Sequence, residues 1–422
     1  MRLLYSLAIS FYALAVRCAS LFNGKANLMR KGWHNWQSIF TSPQFKTLNT
    51  QRLKTAWFHA SSLGEFEQAR PVMETFRKQH PEYKIVLTFF SPSGYEVRKN
   101  YDGADIVCYL PPDTRRNARR LMQLMHPDIA FFVKYDFWFN YLQALERRTT
   151  PTYLFSAIFR PGQYFFKGYG SWFARQLQIY RHIFVQNDES VKLLRNVGVN
   201  RCSIAGDTRF DRVSDIARQA QKFPAIENFI AGYPVLIAGS SWQPDEENIC
   251  RFVQQYHNPL KIILAPHIID EKHLLQIEKT FSADNCTRYS QLTAPDPDPS
   301  LFQRKVLIID NIGMLSSLYR YATVSYIGGG FGRGIHNTLE AAIFGCPLCF
   351  GPNYHKFQEA HDLINCGAAK SYNNADELCD ILTHWFDTVE ARQNAAEAAS
   401  QFMQSHLGAT KTILDVIERN QK

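Results

Sequence analysis

Two successive series of short apolar segments alternate with helix-like segments along this 422-residue chain. In the first half the apolar segments are TAWFHAS, KIVLTFF, DIVCYLP, DIAFFVKYD, TYLFSA and HIFVQN. The rhythm restarts with YPVLIAGSS and continues with KIILAPH, KVLIID, TVSYIGGG and CPLCFG. Short apolar strands that alternate with helices predict parallel sheets covered by helices. The chain is therefore predicted to form two α/β domains, with a boundary near residue 215.

Basic charge is concentrated in the first half of the chain. Residues 1–215 contain 30 lysines and arginines against 16 acidic residues, a formal charge of +14, whereas residues 216–422 contain 17 against 22, or −5. A basic half indicates an anionic surface or substrate, and phospholipid, phosphosugar and nucleic acid all qualify. Nucleic acid is the least favoured, because no groove-reading motif or base-stacking aromatic strand accompanies the charge.

The segment LLYSLAISFYALAVRCASLF, residues 3–22, has about the twenty residues that a bilayer span requires and is interrupted only by Arg17. It lacks a clear cleavage site, so an uncleaved membrane anchor over residues 1–24 is predicted, followed by an aromatic linker, WHNWQSIF. The first 54 residues contain eight basic and no acidic residues, which predicts that the rest of the protein stays in the cytoplasm. The alternative interpretation is an amphipathic helix that lies on the membrane.

The stretch HASSLGE, residues 59–65, follows the first apolar strand and precedes a helix-like pattern. Glu65 is therefore predicted at a helix start. It is interpreted either as a carboxylate that complements the helix dipole or as a catalytic base, and its place after a strand end favours the base. A serine hydrolase is not favoured, since SSLGE supplies neither a GxSxG motif nor a partner histidine.

The second half contains a glycine-rich stretch, SYIGGGFGRGIHNTLEAAIFG, residues 325–345. An apolar strand ends at Gly329 and Gly330 and HNTLEAA is predicted to open a helix, so that backbone and helix start can approach a phosphate. Asn337 and Glu340 are predicted to share a helix face, where the carboxylate can bind a ribose diol. A nucleotide-sugar site is one interpretation, and a tight turn before an ordinary helix is the other.

Two further groupings are interpreted as structural. Cys346 and Cys349 have redox or zinc spacing, but their apolar surroundings favour core residues. Histidine–glutamate pairs four residues apart, such as His336 with Glu340, lack a third ligand and the HExxH pattern, so no metal site is predicted.

A dense arginine cluster lies on one predicted helix and consists of Arg115, Arg116, Arg119 and Arg120. A solvated helix face is the default interpretation. Beside a membrane anchor, the cluster is alternatively a site for acidic lipid phosphates.

Several of these motifs together resemble the Kdo transferases, the 3-deoxy-D-manno-octulosonic acid transferases of lipopolysaccharide assembly, over about residues 55–370. HASSLGE resembles the family's H-A-x-S-x-G-E stretch, whose glutamate is taken as the catalytic base, and GIHNTLEAA resembles G-G-H-N-x-L-E-x-A. LTFFSPSGYE, YLPPD and GDTRFD resemble further family blocks. The resemblance assigns catalysis to Glu65 and donor-nucleotide contacts to Asn337 and Glu340.

The resemblance implies a GT-B fold, in which two Rossmann-like domains face a central cleft, with the anchor helix before them. The expected domains are an acceptor domain over residues 45–215 and a CMP-sugar donor domain over residues 216–422. In the family the last helices of the chain cross back to the first domain. The resemblance allows the same course here for the helices after Asn373. The implied reaction moves Kdo from CMP-Kdo to an anionic lipid A precursor at the cytoplasmic face of the inner membrane, among its phospholipids.

The chain departs from the family pattern at three places. The family's E-x-E-x-W-P-N is KYDFWFN here, so Lys134 replaces one acid and Asp136 is a shortened form of the other, which we place with Glu65 as catalytic. P-R-H is P-H here, which leaves His267 where an arginine would meet the nucleotide phosphate, and Arg209 replaces the usual lysine of GDTRFD. These departures bear on acceptor contacts and phosphate binding more than on the reaction class.

We therefore expect an inverting transfer without cofactor or metal, in which Glu65 takes a proton from a glucosamine hydroxyl and CMP leaves. The residues expected around the donor are Ser240, Ser241, His267, Gly329, Gly330, Asn337 and Glu340. Those expected near the acceptor or a phosphate are Lys134, Arg209, Arg116 and Arg119. Two alternatives remain open: a GT-B transferase that uses another nucleotide sugar, and a catalytically inactive membrane-bound protein that binds nucleotide sugars.

Overall fold

The structure is a computed structural model that describes residues 1–51 and 54–421. The chain divides into two compact units. The first contains residues 1–212 together with the residues from 407 onward, and the second contains Val213–His406.

Seven strands form the sheet of the first unit. They are β1 (Lys54–Ala60), β2 (Tyr83–Phe89), β3 (Ile106–Tyr109), β4 (Ile129–Val133), β5 (Thr152–Ala157), β6 (His182–Val185) and β7 (Cys202–Ile204). All neighbours pair in parallel in the order β3-β2-β1-β4-β5-β6-β7. The winding therefore reverses between β1 and β4, the point where ligands bind in open parallel sheets.

Both faces of this sheet are buried. In β1, Trp57 and Phe58 point to opposite faces and pack in separate apolar clusters, and both are 0% exposed. Burial on both faces explains why the strands are continuous apolar runs without polar alternation. The helices that pack with the unit are α1 (Arg2–Ala19), α2 (Gly24–Thr41), α3 (Pro43–Gln51), α4 (Leu63–Gln79), α5 (Pro92–Arg98), α6 (Arg115–Met125), α7 (Phe139–Arg147), α8 (Ser171–Leu177), α9 (Asp188–Asn196), α10 (Arg209–Arg218), which continues into the second unit, and the last helix of the chain (Ala409–Gln421).

The second unit repeats this architecture. Its strands are β8 (Val235–Ser241), β9 (Lys261–Pro266), β10 (Cys286–Arg288), β11 (Val306–Ile308), β12 (Val324–Ile327), β13 (Leu348–Phe350) and β14 (Ala369–Ser371). They pair in parallel in the order β10-β11-β9-β8-β12-β13-β14, so the winding reverses between β8 and β12. The helices are α11 (Pro224–Ile230), α12 (Gln243–Gln255), α13 (Glu271–Phe281), α14 (Tyr289–Leu292), α15 (Leu315–Leu318), α16 (Leu339–Ala342), α17 (Gln358–Asn365), α18 (Ala375–Asp387) and α19 (Val389–His406), which makes the last helix α20.

The expected aromatic linker is wrong. WHNWQSIF belongs to α2, whose start is capped because the Asn23 side chain accepts the backbone N–H of Ala26. Trp36 and Phe40 of this segment are 3% and 4% exposed and join the core of the first unit. They are four residues apart on one helix face, which is the spacing of a buried stripe.

Candidate functional site

The first candidate cluster lies at the carboxyl ends of β1 and β4. Ser61, directly after β1, donates its backbone N–H to Asp136 Oδ2 at 3.2 Å and its hydroxyl to Asp136 Oδ1. These bonds join the loop after β4 to the loop after β1. Asp136 is 4% exposed, and burial raises its pKa well above the ordinary carboxyl value, with a further increase from the negative charge of Glu65. Glu65 and Asp136 are therefore electrostatic neighbours.

Glu65 lies in the first turn of α4, which confirms its predicted position at a helix start. Ser62 caps this helix, because its hydroxyl oxygen accepts the backbone N–H of Glu65. The same hydroxyl donates to Glu65 Oε2 at 2.7 Å. Glu65 is partly exposed, unlike the buried Asp136. A carboxylate that is held in place and still reachable from solvent has the geometry of a general base.

His59 supports this cluster from inside the sheet. Its ring is 0% exposed, with Nδ1 2.8 Å from Thr88 Oγ1, and with Nε2 3.3 Å from Ser61 Oγ and 3.8 Å from Asp136 Oδ2. Burial lowers the pKa of His59 to about 3, so the ring is neutral at pH 7. Sequence reasoning assigned no role to this residue, although it is the first letter of HASSLGE.

Lys134 lies in the loop after β4, two residues before Asp136. Its backbone is left-handed, with φ +58°, and its N–H donates to Phe155 O at 3.0 Å. Non-glycine residues in this region are uncommon and concentrate at functional sites. The Lys134 ammonium lies 5.6 Å from the centre of the Tyr135 ring. The departure from the family pattern thus places a cation in the same loop as Asp136.

Three further arginines of the prediction lie elsewhere in the first unit. Arg209 begins α10 and donates through Nε to Asp207 Oδ2 at 2.9 Å. Arg116 and Arg119 are exposed on α6. They line surface cavities with residues of α1, α2 and α7.

The second candidate cluster lies at the carboxyl ends of β8 and β12. Asp245, 1% exposed, accepts the backbone N–H groups of Trp242 and Gly329 at 2.9 Å each, and the hydroxyl of Tyr326 at 2.6 Å. Burial raises the pKa of Asp245, and these donors oppose the increase. One carboxylate therefore ties the loop after β8 to the glycine loop after β12. Sequence reasoning missed Asp245, whose only signal was an acid three residues after the helix cap, Trp242.

The loop after β12 requires glycine for two reasons, the lack of space for a side chain and the conformation of the backbone. Gly329 has φ +92°, which favours glycine. A Cβ on Gly330 would lie 2.6 Å from the backbone N and Cα of Gly351, closer than such contacts allow. A Cβ on Gly328 would lie 2.2 Å from Ser240 O. The loop after β12 is therefore packed directly against its neighbouring backbones.

The two predicted donor serines differ in exposure. Ser240 has a left-handed backbone, φ +53°, and is partly exposed. Ser241 is 0% exposed, and its hydroxyl donates to Glu246 Oε1 at 2.9 Å. The Ser241 hydroxyl thus points into the protein, so Ser240 is the better placed of the two for a ligand.

His267 lies in a stack of three rings. Its ring is centred 4.7 Å from that of Trp242 and 4.5 Å from that of His336, with interplanar angles of 26° and 29°. Trp242 Nε1 donates to His336 Nε2 at 3.3 Å. His267 itself is exposed. The residue that replaces an arginine of the family pattern is therefore part of a stacked aromatic surface.

Asn337 and Glu340 contact each other as their spacing predicted, since Asn337 Nδ2 donates to Glu340 Oε1 at 2.8 Å. The helix differs from the prediction. α16 is a single turn, Leu339–Ala342, and Asn337 precedes its cap, Thr338. One turn has a much smaller dipole than a long helix, so the helix start contributes less to a phosphate site than the sequence indicated.

Two seven-stranded parallel sheets, each with a polar cluster where its winding reverses, define the GT-B class of two-domain α/β proteins, as predicted. A UDP-GlcNAc 2-epimerase from Neisseria meningitidis, solved with UDP-GlcNAc bound, shares this fold with a TM-score of 0.59 at 14% identity, covering 86% of this chain and 100% of its own.

Sequence comparison shows which proteins the chain resembles. The family model of the 3-deoxy-D-manno-octulosonic-acid transferases (kdotransferases) matches residues 34–212. A 3-deoxy-D-manno-octulosonic acid transferase of Bordetella pertussis is 27% identical over 382 residues, 86% of each chain. One of Aquifex aeolicus is 25% identical over 334 residues, 78% of this chain and 84% of the relative. The chain is therefore similar to the Kdo transferases, which are glycosyltransferases, over most of its length, as the motifs predicted.

Proposed function

We propose that the protein transfers Kdo from CMP-Kdo to a lipid A precursor in lipopolysaccharide core assembly. The observation that carries this proposal is the position of Glu65, a reachable carboxylate at the end of β1 beside the buried Asp136, in a chain that is similar to the Kdo transferases. The cluster lies at the switch point of its sheet, which is the place where the winding reverses. Open parallel sheets bind ligands there.

Glu65 acts as the base in an inverting displacement. It takes the proton from a glucosamine hydroxyl of the acceptor while that oxygen forms a bond to the anomeric carbon of Kdo. The bond from that carbon to the CMP phosphate breaks, and CMP leaves with the bonding electrons. Asp136 acts through Ser61, because its two hydrogen bonds fix the loop from which α4 begins.

The donor binds at the loops after β8 and β12. The Gly329 N–H is already bound to Asp245, so Gly330, Ser240 and His267 remain for the phosphate that leaves. Asn337 and Glu340 bind the ribose, since a carboxylate accepts both hydroxyls of a diol. The stacked rings of the His267 surface suit a planar base.

The acceptor is anionic and lipidic, so the basic first unit favours its approach. Lys134 and Arg209 are proposed to contact it near Glu65. Arg116 and Arg119 are proposed to bind phosphate at the membrane, which we take to be the cytoplasmic face of the inner membrane. The N-terminal apolar helix α1 is long enough to associate with a bilayer.

A donor screen tests the proposal. The full-length protein, solubilised in detergent, is supplied with CMP-Kdo generated in situ or with UDP-GlcNAc, each with and without a tetraacylated lipid A precursor, and nucleotide release is measured. We expect CMP release only from CMP-Kdo and only with the lipid. Release from UDP-GlcNAc would support a transferase with another donor, and CMP binding without release would support an inactive binding protein.

A further inference from the structure

The first unit covers only one face of the apolar helix α1. Near the helix start, the Tyr5 hydroxyl donates to Asp113 Oδ2 at 2.6 Å, and its ring packs edge-to-face on Phe139 at 5.0 Å. Near the helix end, Val16 is 9% exposed. These residues are eleven positions apart, or about 16 Å along the axis. The helix is therefore held lengthwise against the protein.

Aromatic contacts reach the middle of the helix as well, at Tyr12, which is 43% exposed. The Tyr12 ring is centred 6.3 Å from that of Trp33 in α2 and 6.0 Å from that of Phe90. Tyr5, Tyr12 and Val16 fall on one side of a helix with 100° per residue. A helix that crossed the bilayer away from the protein would lose these contacts.

The opposite side of α1 is apolar and exposed. Leu3, Leu7, Phe11 and Leu14 lie about 180° from the covered side, and their exposures are 67%, 55%, 69% and 54%. The exposed apolar surface continues beyond the helix with Phe22, which is 92% exposed. Contiguous exposed apolar surface of this kind marks a membrane or protein contact.

Basic side chains border this apolar face. One cavity, here called the arginine cavity, lies beside Arg2 at the start of α1. Its other basic side chains are Arg115, Arg119, Arg147 and Arg148. Among the described residues that line it there is no aspartate or glutamate. The nearby Asp113 is 0% exposed and accepts hydrogen bonds from Tyr5, Asn140 and Tyr141. Five like charges in one cavity repel each other, so an anion there lowers the free energy.

A second basic groove runs between α1, α2 and the start of α6. Its cationic side chains are Arg17, Arg30, Lys31 and Arg116, and its lining, too, contains no acidic residue within the part of the chain that the structure describes. Leu14 of the exposed apolar side also lines this groove, so basic cavities border that side near both ends of α1. Apolar surface flanked by cations matches an anionic bilayer, in which acyl chains lie beneath phosphate headgroups.

We propose that α1 does not span the membrane but lies in its plane, with the Leu3–Leu14 side among the acyl chains and the arginine cavity on lipid phosphates. This orientation differs from the uncleaved spanning anchor that the sequence favoured. It explains why the segment is apolar all round, since one side faces the protein and the other faces lipid. The proposal does not depend on which sugar the protein transfers.

Vesicle flotation tests the surface. The full-length protein is mixed with vesicles of phosphatidylcholine alone or with 30% phosphatidylglycerol, where the added lipid supplies the negative charge. We expect flotation with the anionic vesicles and a lower floated fraction at high salt. Phe11→Asp should reduce the floated fraction about tenfold, whereas Ile312→Asp, at a residue of the second unit that is 91% exposed, should float like wild type.

A charge-matched pair tests the arginine cavity. Arg115→Gln with Arg147→Gln should reduce flotation on anionic vesicles, whereas Arg218→Gln with Arg251→Gln removes the same charge from the second unit and should have no such effect. Equal flotation of all variants, or equal binding to neutral and anionic vesicles, would overturn the proposal. Near-ultraviolet circular dichroism checks that every variant is folded.

Depth measurement separates an in-plane helix from a span. Cys18 and Cys366 are the exposed cysteines of the described chain. Replacing both with serine gives a background protein. In this background, Leu3→Cys and Leu14→Cys are introduced one at a time and labelled with a fluorophore. Quenching by lipids with spin labels at known depths should place both positions equally deep. A spanning helix would separate them by about 16 Å, and that result would overturn the proposal.

Discussion

At the residue scale, the proposed chemistry rests on two carboxylates with different surroundings. Glu65 is partly exposed and is bound by the Ser62 hydroxyl, whereas Asp136 is buried and bound to Ser61. Burial and the charge of Glu65 both favour the neutral form of Asp136. When two neighbouring carboxylates have surroundings that differ in this way, one can act as the base while the other has a supporting role.

Asp136→Asn tests the supporting role. An amide offers one acceptor oxygen in place of two, so either the backbone N–H or the hydroxyl of Ser61 loses its partner. A buried donor left without a partner costs about 1–3 kcal/mol, enough to lower kcat about tenfold to a hundredfold, while KM for CMP-Kdo should change little. Steady-state kinetics measure both, with Asp102→Asn at an exposed site of the same unit as control. Unchanged kcat would contradict the role.

His59 predicts a pH dependence of stability. Its pKa is about 3 in the folded protein and about 6.5 when unfolded, so between these values the unfolded chain binds one more proton. The free energy of unfolding should therefore fall as the pH is lowered below 6.5, by up to about 1.4 kcal/mol per pH unit from this residue. His59→Gln should show a shallower slope in urea unfolding between pH 6.5 and 5. Parallel slopes would contradict the prediction.

At the element scale, the glycine loop after β12 is the most constrained part of the second cluster. Gly330→Ala would place a methyl group against Gly351, so we expect a large increase in KM for CMP-Kdo. Gly332→Ala is the matched control, because its nearest contact would be an ordinary 3.6 Å from Gly329 O. Donor titration by calorimetry compares the two variants. Equal donor affinities would show that the loop does not shape the site.

The sequence predicted a feature correctly where the pattern that indicates it lies within a few neighbouring residues. The apolar strands and Glu65 at a helix start follow from spacing alone, whereas Asn337 contacts Glu340 from outside the helix on which the two were predicted to share a face. Asp245 and the ring stack of His267 could not be predicted, because they join loops that are far apart in sequence. The helix α2 was mistaken for a linker, although Trp36 and Phe40 have the spacing of one buried helix face.

At the scale of the whole molecule, alternation of strands and helices predicted two parallel α/β sheets. It did not predict the strand orders, because a period says nothing about which strands become neighbours. The two switch points, after β1 and β4 and after β8 and β12, were therefore visible only in the structure. Both switch points contain residues that the family motifs had identified. The sequence resemblance therefore agrees with the positions of these residues in the structure.

A transfer assay read by mass spectrometry tests directly whether Glu65 is the base of Kdo transfer. Wild type, Glu65→Gln and Glu67→Gln are incubated in detergent with CMP-Kdo and a tetraacylated lipid A precursor. A general base typically contributes on the order of 10² to 10⁴ in rate, so Glu65→Gln should lose turnover by that factor. Glu67, two residues along the same helix and paired with Arg98, should be replaceable.

We expect lipid that is heavier by one or more Kdo units with wild type and with Glu67→Gln, and almost none with a folded Glu65→Gln protein. Product formed by Glu65→Gln at the wild-type rate would contradict the assignment of the base. No added mass with wild type would contradict the transfer itself.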